Sequence, residues 1–115
     1  MSIHHEPGDP HVHVADVGQI ANPLLLDVRE DNEWNAGHAP DAVHAPLGQL
    51  RPDHPALQKG RTIVCICRSG ARSQRATHAL NAWGFEAVNM VGGMQAWWAA
   101  GLPVVDGHGH PGAVI

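Results

Sequence analysis

Two uninterrupted apolar runs limit the folds that this chain of 115 residues can adopt. LLLDV, residues 24–28, and RTIVCIC, residues 61–67, lack the polar alternation of a strand with one face in water. Such runs are typical of parallel strands buried on both faces. Segments with helical character follow both runs, and FEAVNM, residues 85–90, continues the pattern as a third strand. The alternation predicts an α/β fold with a central parallel β-sheet flanked by helices on both faces.

Shorter elements complete the predicted pattern. They are a strand at 11–14, a helix at 15–22 with Val17 and Ile20 inward, an acidic helix at 30–36, a strand at 42–44 and a helix at 94–100. The longest helix is predicted to begin near Ser73, because apolar residues recur beyond it at helical spacing, and to end at Gly84. Its predicted inward residues are Ala76, Ala79, Leu80 and Trp83.

The length of the chain limits the number of domains, and its net charge limits the classes of partner. The chain is long enough for one hydrophobic core, and we expect a flexible arm at 1–10, the folded domain at 11–105 and a mobile Gly/His-rich tail at 106–115. A net charge of -4 disfavours nucleic acid and anionic membranes as partners. No segment approaches the about 18 apolar residues of a membrane span, and the first ten residues lack a signal-peptide core. The cytoplasm is therefore the expected compartment.

Cys65 and Cys67 are too close in the chain for an ordinary loop-closing disulfide, and a reducing compartment would keep both as thiols. The segment around them is basic, since no Asp or Glu occurs from 54 to 85. Five of the seven cationic side chains fall in this segment, and four of them are the arginines Arg61, Arg68, Arg72 and Arg75. We expect a cationic patch around Cys67 that favours thiolate over thiol.

Cys67 ends a predicted strand and precedes a glycine-containing loop and a helix. Backbone N–H groups of such a loop can point inward, and the first turn of the helix adds unpaired donors. Surroundings of this kind lower the pKa of a cysteine from about 8.5 to about 3.5–7.5. Cys67 is thus the predicted nucleophile. Asp27 also falls at the carboxyl end of a strand, the edge at which ligands bind in parallel sheets.

Several separated motifs resemble one known family. The loop C-R-S-G-A-R-S, residues 67–73, is preceded by LLLDVRE and EWNAGHAPDAVHAPL and followed by GFEAVNMVGGMQAWWAAGLPV. From about Val12 to Val105 the chain resembles the single-domain rhodaneses, which are thiosulfate sulfurtransferases. The resemblance implies a rhodanese-like α/β fold and a Cys67 that accepts a sulfane sulfur as a persulfide and passes it to a thiophilic acceptor.

The same resemblance implies partners and supporting residues. The expected donor is a small anion, thiosulfate or a persulfide, and the acceptor is cyanide, a thiol or a protein; no metal or organic cofactor is implied. Asp27 and Arg29 are expected to support the wall of the site. The loop around the persulfide consists of Arg68, Ser69, Gly70, Ala71, Arg72 and Ser73. Arg68 and Arg72 are placed to attract the donor, and Arg72 could also form an ion pair.

Two alternatives remain open from the residues. A regulatory binding module or sulfur relay could use the same loop and turn over thiosulfate poorly. Phosphatases and arsenate reductases of similar fold separate their cysteine and arginine by five residues, whereas four separate Cys67 from Arg72. The shorter loop suits one added sulfur atom better than a tetrahedral oxyanion. Ala39 and Asp41 differ from the residues usual in the family, which predicts a changed turn beside the site.

Simpler interpretations apply to the other candidates. Cys65 is expected in the core, and Asp27 with Arg29 could form only a strand-end ion pair. Glu33, Trp34 and His38 are interpreted as turn and packing residues rather than acid–base groups. Trp83 and one of the pair Trp97 and Trp98 are expected in the core. The terminal histidines complete no recognised zinc spacing and are interpreted as solvated, and they are His4, His5, His11, His13, His108 and His110.

Overall fold

The computed structural model describes residues 3–4 and 10–115. Within these residues, five strands form one sheet in the order β1-β5-β4-β2-β3, and every pairing between neighbours is parallel. The bounds are β1 His11–Val12, β2 Leu24–Asp27, β3 Val43–His44, β4 Thr62–Ile66 and β5 Glu86–Met90. The predicted central parallel sheet is confirmed, with the strand that leads to Cys67 in its middle.

In the described part of the chain, three α-helices and two 3-10 helices surround the sheet. Their bounds are α1 Asp31–Ala36, α2 Ala71–Ala82 and α3 Gly93–Ala99, with 3-10 helices at Val14–Gln19 and Leu47–Gln49. The predicted start of α2 near Ser73 is wrong by two residues. Gly70 has φ 116°, a conformation that glycine adopts at little cost, and this lets the helix begin directly at Ala71. Ser73 consequently lies inside the first turn of α2.

The sheet separates two hydrophobic cores. Leu26, Cys65 and Leu80 belong to the core beneath α2, whereas Val64, Met90 and Trp97 belong to the core on the opposite face. On α2, Ala76 and Leu80 are fully buried as predicted, and Ala79 and Trp83 are partly buried. Val17 and Ile20 are buried, also as predicted. Trp97 is buried and Trp98 is 53% exposed, so the prediction that one of this pair lies in the core is confirmed.

The C-terminal segment differs from the mobile tail that its composition predicted. Val105 and His38 exchange two backbone hydrogen bonds, and Ala113 N donates to Ala36 O at 2.9 Å. Gly37 admits this contact, because a Cβ there would collide with Ala113. Val114 packs against the core on the α3 side. These backbone pairs anchor the segment along the end of α1, which local composition could not reveal.

Among the described residues, histidine rings near the two ends of the chain contact one another in two groups. One joins His4, His11 and His13, and the other joins His108 and His110; His5, with the rest of 5–9 in the predicted arm, falls outside the described residues. Across 3–4 and 10–115, no three His, Cys, Asp or Glu side chains are grouped so that they could hold a metal ion. Over the same residues, no helix has the length and apolar character needed to cross a bilayer.

Candidate active site

The Cys67 sulfur lies in a cradle of hydrogen-bond donors at the carboxyl end of β4. Gly70 N donates to Cys67 Sγ at 3.0 Å, and Ser73 Oγ lies 3.2 Å from the same sulfur. The backbone N–H groups of Ser69 and Ser73 also stabilise it. We call the segment 67–73 the cradle. The sulfur is therefore surrounded by neutral donors supplied by a loop and by the first turn of α2.

Burial and hydrogen bonding act in opposite directions on the Cys67 thiol. The residue is 1% exposed, and this burial by itself raises the pKa. The Ser73 hydroxyl and the backbone N–H groups of Ser73, Gly70 and Ser69 favour the thiolate and outweigh burial, so the pKa falls below its ordinary value. The predicted direction of the shift is confirmed. Its source is different in part, because neutral dipoles rather than arginine charges dominate.

Cys65 provides an internal contrast. It is fully buried inside β4, and burial raises the pKa of its thiol to about 12. A hydrogen bond with the Thr77 side chain lowers this pKa but does not offset burial. Cys65 is thus a core residue, as the sequence predicted.

The first turn of α3 fixes the backbone of the cradle. Met94 N donates to Cys67 O at 2.7 Å, and Gln95 N donates to Arg68 O at 3.0 Å. Gly93 makes this approach possible, since a Cβ there would meet the oxygen of Arg68 at 2.6 Å. The helix predicted at 94–100 left Gly92 and Gly93 outside it, without an assigned role. The adjacent pair of glycines was nevertheless a signal that two backbones approach closely here.

Arg72 is held by an acidic partner from α1. Its Nη1 and Nη2 donate to Glu33 Oε1 and Oε2 at 2.6 and 2.7 Å. The hydrogen bond lowers the pKa of Glu33 and raises that of Arg72. The predicted ion pair of Arg72 is confirmed, and Glu33 is its partner. Glu33 also closes a capping box with Glu30 at the start of α1, so it does act as a turn residue.

The expected cationic patch is smaller than the sequence indicated. Arg61 precedes β4 and donates to the oxygens of Asn22 and Pro23, at the opposite end of the strand from Cys67. Arg68 Nε donates to Ile115 O at 3.0 Å. Arg75 is exposed on α2 and, with Arg72, lines an open groove of about 510 Å³. Among the described residues, none of these guanidinium groups has a recorded hydrogen bond to the Cys67 sulfur.

Asp27 and Arg29 form the strand-end ion pair that the sequence left open. Arg29 Nη2 lies 2.8 Å from Asp27 Oδ2 with both side chains fully buried, and it also donates to Gly37 O at 2.7 Å. Arg29 Nη1 has no hydrogen-bond partner within the described part of the chain. The pair ties the end of β2 to the end of α1. Its part in any reaction stays a prediction.

The aromatic and turn residues near this edge pack as expected. Trp34 stacks on the rings of His38 and His44, with centroids 3.5 and 4.8 Å apart. His38 Nδ1 donates to Trp34 O at 2.7 Å, which fixes the ring against α1. Ala39 is buried in the core on the α3 side, and Asp41 is exposed in the adjacent turn. The two departures from the family pattern therefore affect core packing and a turn.

The arrangement favours a sulfur nucleophile over oxyanion chemistry. A phosphate or arsenate site needs a cation aimed at the anion, whereas Arg72 is bound to Glu33 on both Nη atoms. The donors around Cys67 converge on one sulfur atom. Such a cradle can stabilise the Cys67 thiolate. It can also stabilise a small anionic group that is bonded to the Cys67 sulfur.

Comparisons with known proteins agree with this chemistry. The family model described as rhodanese-like domain matches residues 13–100. The chain is 45% identical over 73 residues to YtwF of Bacillus subtilis. The matched residues make up 64% of this chain and 71% of YtwF. It is 39% identical over 87 residues to a sulfurtransferase of Allochromatium vinosum, covering 75% of this chain and 81% of that protein.

A solved structure gives the same result for the fold. The rhodanese-related protein of Thermoplasma volcanium superposes with a TM-score of 0.75 and 32% identity, over 83% of this chain and 96% of that one. The matched segment 13–100 contains β2, β4, the cradle and the first turn of α3. Every element that surrounds Cys67 in the present fold, except the C-terminal segment that binds Arg68, therefore lies inside the family match.

Proposed function

The chain belongs to the family of rhodanese-like domains, and on that premise we propose that it moves a sulfane sulfur from thiosulfate or a persulfide to a thiophilic acceptor through a Cys67 persulfide. The observation that carries the proposal is the Cys67 sulfur inside a cradle of neutral donors, with its pKa lowered despite burial. A thiolate is the form of cysteine that attacks sulfur. No metal or organic cofactor takes part in the proposed reaction.

The reaction has two displacement steps. The Cys67 thiolate attacks the outer sulfur of thiosulfate, the S–S bond of the donor breaks, and sulfite leaves with the bonding electron pair. Cys67 then carries one extra sulfur, whose negative charge the cradle donors can stabilise. A second nucleophile, such as cyanide or a thiol, attacks that terminal sulfur and releases the Cys67 thiolate. No net oxidation or reduction of the protein occurs.

Burial and charge indicate the kind of donor. Cys67 is 1% exposed, so a small donor reaches the sulfur more readily than a bulky one. The exposed side chain of Arg68, within the cradle segment, favours an anion. Both features support thiosulfate or a low-molecular-weight persulfide as the donor. The net charge of -4 gives no support to nucleic acid or an anionic membrane as a partner, and we propose a cytoplasmic site of action.

A protein acceptor is the second candidate, and one surface feature favours it. The groove of about 510 Å³ that Arg72 and Arg75 share with Trp83 runs along α2 beside the cradle. A side chain or loop of an acceptor could bind there while its thiol approaches Cys67. Slow turnover with thiosulfate together with fast transfer to one protein would identify the chain as a sulfur relay.

Intact mass of the purified protein tests the proposal. We expect thiosulfate to add the mass of one sulfur atom to the wild type and to a Cys65→Ser variant, and cyanide to remove it as thiocyanate. The Cys67→Ser variant should gain nothing. If thiosulfate gives no adduct, a persulfide donor is tested next. Absence of an adduct with both donors, in protein whose fold is verified, would exclude sulfur transfer through Cys67.

A further inference from the structure

Asn89 brings an amide to an inward position of β5. Its neighbours alternate between faces, with Ala87 in the core beneath α2 and Val88 and Met90 in the opposite core. Asn89 therefore faces α2 from a position that an apolar residue could fill without needing a partner. It pairs with Cys65 in the register of β4 and β5, next to the strand that leads to the cradle. A partly buried amide in this place needs hydrogen-bond partners.

Both ends of the Asn89 amide bind the cradle. Nδ2 donates to Gly70 O at 3.2 Å, and Oδ1 lies 2.5 Å from Ser73 Oγ. The Gly70 oxygen can only accept, so the amide nitrogen must face it, and this sets the orientation of the amide. The amide oxygen can only accept as well. The Ser73 hydroxyl must therefore be the donor in the shorter contact.

The Ser73 hydroxyl has more acceptors than protons. Its single proton can go to Asn89 Oδ1 at 2.5 Å, to Gly70 O at 3.1 Å or to Cys67 Sγ at 3.2 Å. When Cys67 is a thiol, the shortest contact favours Asn89. When Cys67 is a thiolate, the charged sulfur is the stronger acceptor. The preferred partner of the hydroxyl thus depends on the state of the sulfur.

We propose that Asn89 is a positioning residue that competes with the Cys67 sulfur for the hydrogen bond of Ser73. In the thiol state the Cys67 S–H donates to Ser73 Oγ, and the Ser73 O–H donates to Asn89 Oδ1. On ionisation the thiol proton leaves to solvent, and the Ser73 hydroxyl rotates to donate to the sulfur while keeping its own proton. Asn89 thereby limits the acidity of Cys67.

Other ionisable groups near the sulfur do not account for this competition. The thiol of Cys65 and the guanidinium of Arg72 both interact electrostatically with Cys67. Arg72 is held by Glu33, and Cys65 is buried within β4. Within the described part of the chain, the side-chain hydrogen bonds of Asn89 go to Gly70 and Ser73. Its replacement therefore leaves Cys65 and Arg72 in place.

The test is the pKa of Cys67 in four proteins, namely the wild type, Asn89→Leu, Ser73→Ala and the double variant. The rate of iodoacetamide alkylation is followed against pH, with the modified peptide identified by mass so that Cys65 does not interfere. We expect Asn89→Leu to lower the pKa by roughly half to one unit, because the Ser73 hydroxyl becomes free to donate to sulfur. In the Ser73→Ala background the same change should leave the pKa unaltered within error.

A higher or unchanged pKa in Asn89→Leu, or an equal fall in both backgrounds, would overturn the proposal. If thermal melting shows that Asn89→Leu does not fold, Asn89→Asp replaces it, since Asp keeps the shape and the acceptor. Asn89→Asp should raise the pKa of Cys67 more in the wild-type background than in the Ser73→Ala background. An equal rise in both would mean that the charge of Asp alone causes the effect, and it would refute the competition. The inference rests on the proposed function for its relevance to sulfur transfer, but no sulfur donor is used, so the two fail in separate experiments.

Discussion

Cys65 and Cys67 are two thiols on one stretch of chain, both turned toward α2 and both shielded from solvent at 0% and 1% exposure. The pKa of Cys65 is raised to about 12, whereas that of Cys67 is lowered. Burial is therefore not what separates the pKa values of these two thiols. The difference arises where the strand ends, because only beyond β4 are backbone N–H groups free of the sheet and able to point at the sulfur.

The most direct test of this contrast is to measure the alkylation rates of both thiols in one protein. At neutral pH we expect iodoacetamide to modify Cys67 at least about a thousandfold faster than Cys65, because a pKa near 12 leaves almost no thiolate on Cys65. The Cys67 rate should rise with pH through a pKa below the ordinary value of a cysteine, because the Ser73 hydroxyl and backbone N–H groups favour the thiolate, and then level off. Site-resolved peptide masses give both rates. Similar labelling of the two residues would refute the contrast.

A second test removes the support that α3 gives to the cradle. Gly93→Ala should destabilise the fold by about 2–5 kcal/mol, because the new Cβ collides with the carbonyl oxygens of Cys67 and Arg68 in addition to the strain of a positive φ. Gly101→Ala is the matched control, since Gly101 also has a positive φ, 75°. Apart from its chain neighbours, no atom of the described residues lies within 4 Å of its Cβ position. It should cost about 1 kcal/mol.

Urea unfolding and the Cys67 alkylation profile measure the effects of the two glycine substitutions. Gly93→Ala should shift the pKa of Cys67 upward, toward that of an ordinary cysteine, whereas Gly101→Ala should not. Equal costs for the two variants would mean that the approach of α3 to the cradle is unimportant.

A third test removes a single hydrogen-bond donor from the surroundings of the Cys67 sulfur. Ser73→Ala removes the hydroxyl beside the sulfur, so the pKa of Cys67 should rise by about one unit, and the alkylation rate at a pH below the pKa should fall about tenfold. Ser69→Ala is the control, because Ser69 contributes its backbone N–H, which alanine keeps. A response of Ser69→Ala as large as that of Ser73→Ala would contradict the assignment of the hydroxyl.

The smallest expected effect on Cys67 comes from the ion pair. Glu33→Gln should lower the free energy of unfolding by about 1–2 kcal/mol, because Arg72 loses a bidentate partner in a partly exposed site, yet move the pKa of Cys67 by less than about half a unit. Asp53→Asn breaks the exposed pair with Arg51 and should cost at most about 0.5 kcal/mol. Chemical denaturation and alkylation profiles provide the two readouts.

The effect of Glu33→Gln on stability should also depend on pH in a defined direction. The pKa of Glu33 is lowered in the folded state, so its contribution is complete above the ordinary value of 4.5 and disappears as the pH falls through the lowered value. The wild type and Glu33→Gln should therefore converge in stability under acidic conditions. A difference that persists at low pH would show that the charge on Glu33 is not its source.

Sequence reasoning was most successful where the information is local. The apolar runs of β2 and β4 predicted the sheet, and the Cys67 loop predicted a lowered pKa, because each depends on neighbouring residues. An ion pair of Arg72 was predicted, but its partner Glu33 was not, and the contact of Met94 with Cys67 was missed. In both cases the fold joins segments that are distant in the chain. The position of Arg61 relative to Cys67 was also predicted wrongly. The two residues are close in sequence, but the extended strand β4 places them at its opposite ends.

The reliance of the cradle on Met94 has a consequence for the order of events during biosynthesis. The segment that contains Cys67 leaves the ribosome before β5 and α3 do, so the growing chain carries this cysteine without the donors that hold the Cys67 and Arg68 carbonyls outward. Its thiol then has the modest acidity of any cysteine in an unfolded peptide. We therefore expect the pKa of Cys67 to fall below its ordinary value only after α3 has docked on the cradle.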